Sequence, residues 1–495
     1  MNLTSLSDYK LLPPNLYPEP PIWYHLVPTL ILPTALLVPR TVLSRNQSIA
    51  LFIPIIYGMT FRAWWIMGAV DVLSVNGLLW AAFLLVLNDP WRDFRYVAAA
   101  HGGGKVEVVG GGERKGPTVA NGLPSTATTG RSIDQATAIS LDLTSSTKLK
   151  LSSRFDDGTR DEIKEQPYPA TLSARVPWVL TLLSSLRLTN WQISSPRHDI
   201  HQPPPQHYPT HRAFALYAVQ SFILGYLALD ITSAYISTDP YYHDPLIPLS
   251  APLPLGLPLL PPRFLRTMVI GAQAWALITK LFFLATLAPL TLNYLNLLPD
   301  DLSPHAWPPF SGPVSGIFLY GVRGFWGRYW HQTMRFTTSA PGYAIADALG
   351  LRRGGAARYA VVCFIAFGLS GLVHVGLVPV EPLKAGVAGV WEVRGCVFGF
   401  FAVQPVAMLT EVVVARCVAQ VVDGGGGRFR SGSGLGVRMV VNGLWTVAWF
   451  CLTLGLLGEM GRQLDYWHYY TVPVSIYHGL RGEGWVRWPV FAKMA

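Results

Sequence analysis

Charge is what this chain has least of: 13% of its 495 residues are Asp, Glu, Lys or Arg, against 51% hydrophobic. That shortage excludes the set of soluble domains that such a length would otherwise suggest. Cysteine is scarce as well. Cys363, Cys396, Cys417 and Cys451 all lie in apolar stretches without CxxC spacing, so they read as small buried hydrophobes and not as a disulfide framework or zinc site. Several catalytic signatures are missing. No His precedes Glu, which removes the HExxH zinc helix. No His is followed four residues later by Asp, no Gly-Lys-Ser/Thr occurs, and Gly368-Leu369-Ser370-Gly371-Leu372 lacks the last glycine of a nucleophile elbow. The runs Asn88-Asp89…Asp93 and Asp156-Asp157…Asp161 have the wrong spacing for a magnesium-diphosphate site. Met1 to Glu19 has no basic start followed by an apolar core, so the first spanning segment is expected to double as the insertion signal.

What is present is apolar length. Mean hydropathy is +0.32, and several runs approach the roughly 20 residues that cross a bilayer. The chain reads as an all-α polytopic membrane protein with about eight spans: 23–38, 49–67, 73–87, 214–236, 268–290, 359–378, 390–414 and 439–457. The formal charge of +10 is no nucleic-acid signal, because its cations cluster at segment ends, as Arg40 and Arg45, Arg263 and Arg266, and Arg352 and Arg353 do.

Three regions follow: N-terminal spans over 1–94, a Gly/Ser/Thr-rich flexible loop over 95–172, and a core over 173–495. Within the core, Val176 to Leu188 reads as a short interfacial helix, Pro240 to Pro262 as a proline-dense surface crossing, and Tyr466 to Trp488 as an amphipathic aromatic tail. Arg187 and Trp191 are expected to anchor at the interface, Asp230 to support packing by an interhelical hydrogen bond, and Glu392 and Glu411 to sit near membrane surfaces.

The chemistry concentrates between Arg323 and His374. The run Arg323-Gly324-Phe325-Trp326-Gly327-Arg328-Tyr329-Trp330-His331-Gln332 mixes rings and cations. Read as one helix, Arg328, His331, Gln332 and Arg335 share a face at i, i+3, i+4 and i+7. Forty residues on, Ser370-Gly371-Leu372-Val373-His374 places an imidazole in a segment otherwise fit for the bilayer. Such groups are costly there, and function is the default reading. The glycines at 368, 371 and 376 are expected to leave room for a substrate beside it.

Taken together, Phe325-Trp326-Gly327-Arg328-Tyr329-Trp330-His331-Gln332 and Ser370-Gly371-Leu372-Val373-His374 resemble the wax-synthase branch of the membrane-bound O-acyltransferases, above all its fungal members that decorate terpenoid products. The resemblance is firm over 311–376. It implies acyl transfer from a coenzyme A thioester to a hydroxyl, with acyl-CoA, read here as acetyl-CoA, as cosubstrate and neither a bound cofactor nor a metal. It implies His374 as the catalytic His, with His331 where members carry Asn or His; the residues themselves suggest His331, with Gln332 or Trp330 nearby, at the thioester, and Arg328 and Arg335 on the coenzyme phosphates, since Arg suits oxyanions. The acceptor would be a lipophilic alcohol, the location a multi-pass position in the endoplasmic reticulum, and no nucleic acid is involved. Two departures stand out: Val375 where relatives often carry Glu, and Arg187-Leu188-Thr189-Asn190-Trp191 where the family has Arg-Gly-x-Gly-Trp. A long-chain wax-ester synthase remains the alternative within acyl transfer; a membrane prenyltransferase or terpene cyclase, or a transporter, are the alternatives outside it.

Overall fold

The structure is a computed structural model, and it describes residues 23–67, 72–98, 164–185, 187–188, 190–194, 208, 210–254, 260–297, 309–378, 389–424, 432–464, 466–468 and 470–487. The chain divides into Met1–Val97 with Glu165–Ala495, and Ala98–Lys164. All but the edges of the second unit lie outside the described residues, as does most of the expected flexible loop.

Helices dominate. In order they are α1 (Trp23–Leu37), α2 (Arg45–Met67), α3 (Val72–Ala81), α4 (Pro90–Asp93), α5 (Leu172–Ser184), α6 (His211–Ile236), α7 (Pro262–Tyr294), α8 (Ser315–Gly324), α9 (Arg335–Ala348), α10 (Ala356–Val375), α11 (Val390–Gly424), α12 (Gly432–Gln463) and α13 (Ile476–Leu480). All eight expected spans are helical. Among the described residues five are long and apolar enough to cross a membrane: His211–Ile236, Pro262–Tyr294, Ala356–Val375, Val390–Val418 and Leu435–Gln463. Their outward faces are apolar and their inward faces carry the polar groups, which is the arrangement lipid imposes. On α6, Leu216, Val219, Ile223 and Leu224 are exposed while Asp230 and Ser233 are buried. On α7, Gln273, Thr279 and Thr286 point inward. Helix α7 packs on α6 and α12; α10 packs on α9, α11 and α3.

The loop expected over 95–172 is ordered at both edges. Strands β1 (Phe94–Ala98), β2 (Lys164–Gln166) and β3 (Trp191–Ile193) form a small sheet in the order β2-β1-β3. β1 and β3 run antiparallel with Tyr96 opposite Trp191, and Arg95 reaches Glu165 across 3.0 Å. Trp191 is therefore a core ring and not an interfacial anchor: it is buried and packs edge-on against Trp178, 4.8 Å between centroids.

The proline-dense stretch after α6 runs along the surface at Asp244, Leu246, Pro248 and Ser250, which are exposed, but it is anchored inward. Tyr241 and Tyr242 are fully buried, and two cations gather its carbonyls. Arg266 takes those of Leu249 and Ala251 at 3.0 and 2.7 Å, and Arg462 takes those of Asp244 and Ile247 at 2.6 and 3.0 Å. Prolines leave carbonyl acceptors without matching N–H donors nearby, and a guanidinium with five donors suits that surplus. Asp230 supports packing as expected, though its partners come from the tail. Its carboxylate accepts the Tyr470 hydroxyl at 3.1 Å and the Tyr477 N–H at 2.9 Å, which ties α13 to α6.

Candidate active site

The expected single helix from Arg323 through Arg335 is two elements with a break between them. A π-helical turn, Phe325–Tyr329, stops at Trp330, whose ψ of 152° turns the chain away, and α9 begins only at Arg335. Gln332 holds the break. Its side-chain N–H groups donate to the carbonyls of Trp326 and Trp330 at 2.9 and 2.6 Å, and its oxygen accepts Arg335 Nη1 at 3.3 Å. In this structure both N–H groups of that amide are spent on the turn, where Gln332 caps the break.

The turn puts His331 in an aromatic slot. Its ring lies nearly parallel to Phe310, 5.7 Å between centroids and 16° apart, with Trp330 on the other flank at 5.4 Å. Phe310 in turn stacks on Phe282 of α7 at 4.5 Å. Nδ1 of His331 shares a 2.9 Å hydrogen bond with the Thr333 hydroxyl. Burial, with the nearby charges of His374 and Arg187 added to it, lowers its pKa to about 4. A neutral imidazole in that slot either donates or accepts through Nε2, according to which way the threonine hydroxyl points.

His374 sits in the last turn of α10. Nδ1 donates to the carbonyl of Ser370 at 2.7 Å, so the neutral ring carries its hydrogen there and its lone pair on Nε2. Phe401 of α11 stacks on it at 4.1 Å and 28°. The glycines beside it have divided roles. A Cβ at Gly368 would meet nothing within 4 Å, whereas one at Gly371 would meet the rings of Phe398 and Phe401. Gly371 thus admits the ring that flanks His374 and leaves no room there for substrate.

The two histidines are brought together. Besides their electrostatic contact, Met334, three residues beyond His331, packs with Val373, the neighbour of His374, in one apolar cluster. Trp326 links the same walls, its ring 6.0 Å from Trp330 and 6.3 Å from Phe401. Gln404, fully buried on α11, fixes that indole by accepting its N–H at 3.1 Å while also accepting that of Trp449 at 3.0 Å. Trp330 stacks on Phe325 at 5.3 Å. Arg328 is exposed and lies over the Tyr320 ring at 4.0 Å. Arg335 is half-buried; burial lowers its pKa, Tyr343 opposes that, and Arg328 adds to it. Among the described residues neither arginine has a carboxylate partner, so both present charge that an anion would satisfy. A cavity of about 90 Å³ elsewhere, lined by Ser233, His243, Gln273, His468, Tyr470 and Thr471 among others, contains none of the candidate residues.

Glu411 is where sequence reasoning missed a supporting group. Its carboxylate accepts the backbone N–H groups of Val322 and Arg323 at 2.6 and 3.0 Å and the Trp445 indole at 2.9 Å. Those two N–H groups are freed because Gly321 breaks α8 at φ 66°, ψ −142°, a conformation close to glycine-only territory. Glu411 thereby caps, from another helix, the segment that delivers Phe325 to His331. A Cβ at Gly321 would also collide with that carboxylate. Gly321→Ala is expected to lower stability by about 1–3 kcal/mol from the backbone alone, read as a drop in the thermal midpoint in detergent. An unshifted midpoint would show that the break tolerates a side chain.

The Arg187 stretch takes left-handed backbone at two positions without glycine. Leu188 and Asn190, at the positions where the resembled family has glycine, hold φ of 49° and 63°. Asn enters that region readily, and Leu does so here with its side chain fully buried.

Comparison with known proteins agrees with this layout. Residues 307–384 match the membrane bound O-acyl transferase family. Acetyltransferase ple2 of Rhodocybe pseudopiperita is 30% identical over 287 residues, 57% of this chain and 65% of that protein, so the match spans just under two thirds of that relative. Acetyltransferase eriL of Hericium erinaceus is 24% identical over 320 residues, 64% of this chain and 74% of its own. Acetyltransferase aurG of Calcarisporium arbuscula is 46% identical over 77 residues, 15% of this chain and 18% of that one. No solved structure matches. Both histidines lie inside the segment that is similar to the membrane bound O-acyl transferase family, and the chain is similar over more than half its length to fungal acetyltransferases.

Proposed function

We propose that this chain is a membrane O-acyltransferase that moves an acyl group, acetyl in the reading its relatives favour, from acyl-CoA to the hydroxyl of a lipophilic small molecule such as a terpenoid. The observation that carries the reading is the hydrogen bond from His374 Nδ1 to Ser370, because it leaves Nε2 as the basic atom. In this mechanism Nε2 takes the proton of the acceptor alcohol as its oxygen attacks the thioester carbonyl. The carbonyl π electrons move onto oxygen, and a neutral His331 with its hydrogen on Nε2 donates to that oxyanion; one such donor is typically worth about 2.7–4 kcal/mol. Collapse re-forms the carbonyl, breaks the carbon–sulfur bond and expels the coenzyme A thiolate, which takes its proton from the His374 imidazolium. The products are an ester and coenzyme A, and the histidine returns to its starting state.

Arg328 and Arg335 would meet the anionic end of the donor, Arg328 from the exposed edge and Arg335 from inside. Trp330, beside His331, would pack against the pantetheine arm. The apolar helices around the site would keep water from the thioester, and a membrane of the endoplasmic reticulum would supply the acceptor. Microsomes from cells expressing the chain, offered a hydroxylated terpenoid panel with acetyl-CoA or palmitoyl-CoA, test this by mass spectrometry. Products heavier than the acceptor by one acetyl group are expected with acetyl-CoA. Palmitoyl products alone would turn the reading to wax-ester synthesis, and no acyl product with either donor would remove it.

A further inference from the structure

Arg187 stands one turn beyond α5, far in sequence from both histidines, yet its guanidinium ends beside His331. Nη1 donates to the carbonyl of Pro309 at 2.6 Å. The next residue, Phe310, is the buried ring held between Phe282 and His331. Fixing the Pro309 carbonyl therefore fixes the plate against which the imidazole lies. Arg187 is itself well held. The carbonyl of Leu188 accepts the Trp191 N–H at 3.1 Å, Leu188 is fully buried, and the Trp191 strand is paired to β1. Two residues with left-handed backbone, Leu188 and Asn190, make the tight turn that aims it. Such strain persists only where the surroundings over-determine it. A lysine could replace the charge but not the fork.

We infer that Arg187 is a positioning residue for the transfer: it seats the Phe310 plate on His331 and sets its fixed charge beside that imidazole, whose Nε2 serves the thioester carbonyl. The charged and titratable groups around His331 are few. Among the described residues they are Arg187 from the α5–β3 turn, His374 from α10, and Arg328, Tyr329 and Arg335 on its own segment; α7 presents the Phe282 ring. Of these, Arg187 and His374 act on it directly, after burial, which is the largest influence. No carboxylate pairs with Arg187 among the described residues, so its charge is not neutralised. This inference rests on the acyl-transfer reading only for its consequence in turnover. The charge effect itself is measurable in an inert protein.

The experiment uses the full chain in detergent micelles. Diethyl pyrocarbonate modifies unprotonated imidazole, and mass spectrometry of the His331 peptide across pH 4–8 reads its titration midpoint. The wild-type midpoint is expected well below the ordinary histidine value. In Arg187→Gln it is expected to rise by about one unit, since a nearby like charge is gone, whereas Arg187→Lys should keep the wild-type midpoint. Acyl transfer in both variants should fall in kcat by about tenfold or more with KM for acyl-CoA unchanged, because the plate is unseated and donor phosphates are bound elsewhere. An unshifted midpoint in Arg187→Gln overturns the inference, as does a lysine variant whose midpoint rises. If the glutamine variant does not fold, Arg187→Met is read in its place and must show the same rise, an unshifted midpoint again overturning the inference. Shifted midpoints in a chain without transferase activity would uphold the role of Arg187 while removing the acyl-transfer reading.

Discussion

His374→Ala is expected to abolish acyl transfer, with turnover falling by about 10²–10⁴-fold, the range a positioned general base contributes. Substrate alcohols hold their protons tightly, so attack on a thioester at neutral pH needs a base in place as the oxygen moves. The only acceptor His374 can offer is Nε2, because Nδ1 is committed to Ser370. Phe401, stacked at 4.1 Å, holds the ring plane, and Gly371 is what allows that ring so close. An alanine removes base and ring together, so His374→Gln is the sharper companion. Its amide can still donate to the Ser370 carbonyl, and it lacks a basic nitrogen. Both variants should reach wild-type levels in membranes and elute normally in detergent while producing no ester. Turnover within tenfold of wild type in either would mean that another group takes the proton, and the mechanism would have to be abandoned.

Replacing Arg266 with alanine should do to stability what the His374 change does to chemistry. Arg266 and Asp239 form an ion pair with both side chains almost wholly buried, through two parallel 2.8 Å bonds. Tyr235 adds a third bond to the carboxylate at 2.7 Å. Removing one partner of such a pair strands the other charge, at a cost of about 3–5 kcal/mol. Here the carbonyls of Leu249 and Ala251 also lose their donor, so the chain from Pro240 onward loses the cation around which it folds. The expected result is a large drop in thermal midpoint with partial loss of expression. Asp239→Asn combined with Arg266→Met should recover much of it, since no charge is then left unpaired. A midpoint within about 1 °C of wild type in Arg266→Ala, roughly the shift that 1 kcal/mol produces in a chain of this length, would show that the pair contributes little.

The same pair sets an acid limit. Burial pushes the Asp239 carboxyl up, but the bonds from Arg266, Tyr235 and the Tyr241 N–H together pull it below its ordinary value. Because the folded value is the lower one, the contribution is complete above the ordinary carboxylate range. It is lost as pH falls through the lowered value. His331 behaves in the opposite chemical sense with the same direction: its folded value near 4 lies under the unfolded 6.5, so acidification from neutral pH costs stability progressively.

Length and apolarity alone determined the membrane-spanning helices of the core. The expected spans at 214–236, 268–290, 359–378, 390–414 and 439–457 each lie within a few residues of a helix in the structure, because in lipid a backbone must satisfy its own hydrogen bonds and a helix does so locally. His374 was legible for the same reason, as an ionisable group where water is absent. The break at Trp330–Met334 was not legible: Arg328, His331, Gln332 and Arg335 have helical spacing, and only the long-range seating of Gln332 and Glu411 shows that the helix stops. Nor could the sequence reveal Arg266 gathering carbonyls, Glu411 capping a distant helix, or Arg187 reaching the Phe310 plate. Backbone carbonyls and N–H groups are the same at every position, so a side chain that binds them leaves no pattern to read until the chain has folded.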